Sequence, residues 1–125
     1  MGLDQMAYKI NGEDRVEIAY WRKHNRLQGW MEKLWHSKGG TGEFNLVDVE
    51  ITEEDLDSFE NAVTKQNLPS TDGFFFGGDS YRIRHDGLEP ILGNRYADEP
   101  ADLKFIEDAR KVLSEGGRVV YSCWW

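Results

Sequence analysis

The sequence has a single cysteine, Cys123, and cannot close an internal disulfide. A lone thiol suits a reducing compartment. Histidine is equally scarce: His24, His36 and His85 are scattered along the chain. No HExxH, CxxC or EF-hand spacing occurs, so neither a metal site nor a cofactor is indicated. No apolar run reaches membrane-spanning length, and the first residues lack a secretory pattern. Position 6 is Met, not the Ser or Thr of a myristoylation signal. A cytoplasmic protein with no membrane partner is expected. Positive charge is also short, with 15 Lys and Arg against 23 Asp and Glu and a formal charge of −8. General nucleic-acid binding needs a basic face and is disfavoured.

Aromatic residues are plentiful, at 13% of 125 residues. That composition is globular, and the length fits one domain, residues 1–125, with a core that needs no staples. The organising stretch is Val16 to Trp35. Leu27, Trp30, Met31, Leu34 and Trp35 fall on one face of a 3.6-residue period. Extending backward, Ile18, Trp21 and His24 keep roughly that face, although Val16 to Tyr20 alternates and also fits a short strand feeding the helix. The tryptophans read as core. Lys38-Gly39-Gly40 ends the helix.

Gln5 to Ile10 reads as a first strand, closed by Asn11-Gly12. Phe44 to Ile51 reads as another. Thr52, followed by Glu53, Glu54 and Asp55, caps a second helix with Leu56, Phe59 and Val63 inward, ending near Asn67. Asp98 caps a third, with Pro100 in its first turn and Leu103, Phe105, Ile106, Ala109, Val112 and Leu113 inward. Arg118 to Trp125 alternates as a closing strand. The expected fold is α+β: about three helices on an antiparallel or mixed sheet that includes both terminal strands. No repeat or low-complexity segment interrupts it.

Charge is segregated. Arg15 to Lys38 holds six cations and two anions, whereas Asp48 to Glu60 holds seven anions and no cation. Some of Arg22, Lys23, Arg26 and Lys33 are expected to pair with that acidic run. Cys123 lies beside two tryptophans with no adjacent cation, which describes a buried thiol and not a nucleophile. No pair of carboxylates stands out as general acid and base. Gly39-Gly40-Thr41-Gly42 follows a helix and lacks GxxxxGK[ST], so it reads as a linker. Residues 68–78 are more unusual. Three phenylalanines stand between Gly73 and Gly77-Gly78, and in a strand Phe75 would face away from Phe74 and Phe76.

Two segments are similar to ones in small phage and prophage proteins. Residues 17–25, EIAYWRKHN, resemble an EVAYWRKAN-type segment; residues 68–77, LPSTDGFFFG, resemble an LPTQSGFFFG-type segment. This chain has His24 where the first segment has a small residue. The resemblance implies a phage context, with no mechanism attached. Two functional readings result. One is a non-catalytic accessory protein that binds a host or phage protein in the host cytoplasm, with dimerisation left open. The other is a small-ligand or nucleotide-binding protein, an enzyme included, with its site between Arg22, Lys23 and Asn25 and the loop carrying Gly73, Phe75 and Gly77. The absence of a catalytic constellation favours the first.

Both terminal segments are rich in β-formers and are expected side by side in one sheet. Deleting Cys123 to Trp125 should then lower the melting temperature markedly, since truncating a buried aromatic costs roughly 3–5 kcal/mol. An unchanged thermal melt would show that the terminal strand carries no structural weight.

Overall fold

The computed structural model describes residues 3–22, 24–65, 68 and 99–125. The chain begins with a hairpin of β1 (Asp4–Asn11) and β2 (Asp14–Arg22). Its two-residue turn places Gly12 at φ 64°, a left-handed conformation that costs glycine nothing. Helix α1 (Asn25–Ser37) follows, then β3 (Asp48–Ile51), α2 (Glu53–Thr64), α3 (Glu99–Ser114) and β4 (Arg118–Trp124). The sheet runs β2-β1-β4-β3, with every neighbouring pair antiparallel. The three helices pack on it, and the expected α+β domain with both terminal strands in one sheet is observed.

The two-residue period of the strands decides which face is core. Gln5 and Ala7 on β1, Trp21 on β2, Val119, Tyr121 and Cys123 on β4 and Val49 and Ile51 on β3 are buried under the helices. Trp21 meets Phe105 edge-on at 5.2 Å, and Phe44 stacks on Tyr121 at 6.0 Å. Leu27 and Met31 of α1 are fully buried, while Trp30, Leu34 and Trp35 lie half-buried against the same cluster. Gly40 is required by close approach: a Cβ there would sit 2.3 Å from the Trp35 ring.

Of the two readings of Val16 to Tyr20, the strand feeding the helix is the one observed, within β2, and the helix starts at Asn25. Three local expectations change. The strand expected from Phe44 is confined to Asp48–Ile51, because Phe44 turns into the core and Leu46 adopts φ 59°. Helix α2 stops at Thr64. Leu103 is exposed and Asp102 takes the inward position, since 102, 105, 106 and 109 form the buried stripe of α3. Thr52 does cap α2 as expected: its hydroxyl accepts from Asp55 N–H, and the Asp55 carboxylate accepts from Thr52 N–H. Asp98 lies outside the described residues.

The acidic run is paired, but with other cations than expected. Arg15 grips Asp48 with both terminal nitrogens, Lys38 reaches Asp55, Arg118 reaches Glu50, and Arg110 bridges Asp57 and Glu60. Arg22 pairs with Asp4 instead, and Arg26 donates to the Leu68 carbonyl. Sequence distance gave no guide to these partners because the sheet order and the packing of α2 against its neighbours, not the chain order, bring them together.

The Arg15 hydrogen bonds hold the Asp48 carboxyl below its usual range against a smaller opposing effect of desolvation. At Asp55 desolvation pushes upward, and the hydrogen bonds from Lys38 and Thr52 outweigh it, so that carboxyl is lowered too. A carboxyl whose folded pKa is depressed stabilises the fold above its unfolded pKa of about 3.9 and loses that contribution as pH falls through the folded value. Urea midpoints are therefore expected to drop as pH falls below about 4. Asp55→Asn should be less stable at neutral pH and show a shallower acid dependence; parallel curves for variant and wild type would contradict the assignment.

Candidate functional site

The residues singled out by sequence do not form one exposed cluster. Arg22 is exposed at the end of β2, its guanidinium held by Asp4 at 3.1 Å. Asn25 begins α1 and is 3% exposed. A strand ends between them, so the three-residue spacing that would align them on a helix does not apply. Lys23, Gly73, Phe75 and Gly77 lie outside the described residues.

Between those two positions the chain inserts His24, and a buried polar network grows from it. The side-chain amide of Gln5 binds the His24 backbone twice: Oε1 accepts from its N–H and Nε2 donates to its carbonyl, both at 2.9 Å. This pairing imitates a β-bridge and fixes residue 24 in the non-helical conformation, φ −87° and ψ 76°, that separates β2 from α1. The His24 ring then meets Asp102 through Nε2 at 2.9 Å, and the other Asp102 oxygen accepts from Trp21 Nε1 at 2.8 Å. The carboxylate is fully buried, a placement that demands such partners.

A second branch crosses the sheet. Gln5 Nε2 also donates to the Tyr121 hydroxyl, which donates to Gln28 Oε1 at 2.7 Å. Gln28 Nε2 donates to Cys123 Sγ and to the Phe44 carbonyl. That carbonyl also receives the Cys123 thiol and Trp125 Nε1. Burial raises the Tyr121 phenol well above its ordinary value and pushes the Cys123 thiol up to about 11. Burial thus disfavours the ionised form of both groups. The network ties β1, β4, α1 and α3 together. Composition alone hid it, because Gln5, Gln28 and Asp102 read as surface residues; the one available signal was their position on otherwise apolar faces.

The opposite face of the sheet carries no described helix. Its residues, read from the strand register, are Asp4, Met6, Tyr8 and Ile10 on β1, Arg15, Glu17, Tyr20 and Arg22 on β2, Arg118, Val120, Ser122 and Trp124 on β4 and Asp48 and Glu50 on β3. Arg15 lies across this face with its guanidinium carbon 4.1 Å from the Tyr8 ring centroid, then reaches Asp48 on the far edge. This strap divides the face. On one side lie Met6, Tyr20 and Trp124, and Tyr20 and Trp124 are 51% and 61% exposed. Leu46 abuts the same end of β4, donating its N–H to the Cys123 carbonyl, and is 70% exposed. Its left-handed backbone costs a leucine roughly 1–2 kcal/mol. The side chain gains no burial in return.

Neither sheet edge invites another strand. β2 carries a bulge: Ala7 faces Ala19 and Tyr8 faces Glu17, which leaves Ile18 unmatched. β3 is four residues long and bears Asp48 and Glu50. Bulges, short strands and charges are the usual means of blocking edge pairing. The feature open to a partner is therefore the face and not the rim.

Tyr121→Phe is expected to cost about 1–3 kcal/mol in urea unfolding, because Gln28 Oε1 loses a buried donor. Equal stability would mean that Gln28 finds another donor and that the chain of bonds is not required.

No protein-family model, curated protein or solved structure matches this chain.

Proposed function

We propose that this protein is a non-catalytic interaction module that binds another protein through the face of its sheet that carries no described helix. The observation that carries this reading is the exposure of Tyr20 and Trp124 at one end of that face, with exposed Leu46 hydrogen-bonded through its backbone to Cys123 beside Trp124. Large aromatics left in water beside a strained leucine are a poor use of side chains for folding, and aromatic anchors dominate protein interfaces. The core polar groups support the reading from the other side: Tyr121 and Cys123 are buried and hydrogen-bonded within the fold. The similarity of residues 17–25 and 68–77 to phage-encoded segments supports an accessory role in a phage-infected or lysogenic cell, with the host cytoplasm as the place of action and a host or phage protein as the partner.

Bacterial lysate passed over immobilised protein provides the test. Trp124→Ser should lose a discrete set of proteins that the wild type and Arg22→Ala both retain, with its melting temperature nearly unchanged. Identical capture by Trp124→Ser and wild type would remove this face from the function.

A further inference from the structure

We infer that the partner of the Tyr20, Met6, Trp124 and Leu46 patch is a short, basic polypeptide segment with apolar anchors, and not a second copy of this chain. The inference rests on the interaction reading above and adds the chemistry of the partner. Size is the first argument. The patch extends from β2 to the β3 side, three strand spacings or about 14 Å, and roughly two residues, about 7 Å, along the strands. A stable dimer buries about 800 Å² on each partner, far more than such a patch offers. The Arg15 strap prevents enlargement, since it covers Tyr8 and ends on Asp48 across the neighbouring strands.

Charge is the second argument. The chain carries −8, so two copies meeting face to face repel. The cations of this face are already held: Arg15 by Asp48, Arg22 by Asp4 and Arg118 by Glu50. Glu17 on the face and Glu43, three residues before Leu46, are exposed and have no ion-pair partner among the described residues. A basic segment is attracted to such a surface, whereas an acidic one or a nucleic acid is repelled.

The strand edges supply the third. Bulged β2 and short, charged β3 deny backbone pairing, so the segment must bind by its side chains. Leu46 and Trp124 flank the same end of β4 and offer two neighbouring apolar contacts.

Fluorescence anisotropy with labelled synthetic peptides tests this. The probes are a short lysine–leucine–phenylalanine peptide, its glutamate-for-lysine counterpart and a lysine–serine peptide. The lysine–leucine–phenylalanine peptide should bind the full chain, more weakly as sodium chloride rises, while the other two should not. Trp124→Ser should weaken it by about tenfold or more. Leu46→Gly should weaken it as well while keeping or raising the melting temperature, because glycine accepts φ 59° without strain. A purely structural role for Leu46 would give the reverse. Equal binding of the acidic peptide, unchanged binding by Trp124→Ser, or Trp124-dependent dimerisation in sedimentation would each overturn the inference. If Trp124-dependent capture from lysate persists while the basic peptide fails to bind, only the partner chemistry is wrong. If both fail, the interaction reading falls with it.

Discussion

The Gln5 side chain is the contact on which the rest of this structure depends. It satisfies the backbone of His24 as a neighbouring strand would, and it passes a hydrogen bond to Tyr121. The first contact turns the chain from β2 into α1. The second locks that turn to the last strand of the sheet. A leucine at position 5 would fill the volume but leave the His24 N–H and carbonyl without the partners they have now, a cost that apolar packing does not offset. His24 is thereby held where its ring reaches Asp102, so α3 is positioned by the same amide at one remove.

Fold and surface are organised by different forces. Inside, apolar burial supplies the driving term and the polar network supplies uniqueness, since its donors and acceptors match in one arrangement only. Outside, ion pairs such as Arg15 with Asp48 are exposed and individually weak. Their effect is geometric. Arg15 closes one half of the open face and leaves Met6, Tyr20 and Trp124 on the other, beside the Arg22–Asp4 pair, and the two blocked edges leave that half as the accessible ground.

Much of the fold was legible because its signals are local. Asn11-Gly12 at the hairpin, the Thr52 capping box, the Leu27 to Trp35 stripe and the alternation of Arg118 to Trp125 each depend on a few consecutive residues. Four features were not legible, and all depend on distant partners. Asp102 turns inward because Trp21 and His24 wait there. Phe44 leaves the strand because its ring and carbonyl have core partners. The acidic run pairs with Arg15 and Arg118 because strand order brings them close, and with Lys38 and Arg110 because α2 packs near the end of α1 and against α3. The proposed patch could not be read at all: Tyr20, Trp124 and Leu46 are far apart in sequence, and exposure is a property of the assembled sheet. Arg22 and Asn25 illustrate the converse, two neighbours in sequence that the end of a strand sends apart.

The sheet order has a consequence for how the chain is made. β4 occupies the slot between β1 and β3, so the described strand that comes latest in the sequence is one of the two central ones. While the ribosome is still working, the hairpin of β1 and β2 shows one unpaired flank and β3 has no neighbour. Tyr121 is also missing, so Gln5 and Gln28 have no common partner. The nascent chain therefore cannot settle stepwise from its N-terminus. The sheet joins β3 to the hairpin only through residues 118–124, so the interval before they emerge is one of exposed strand edges.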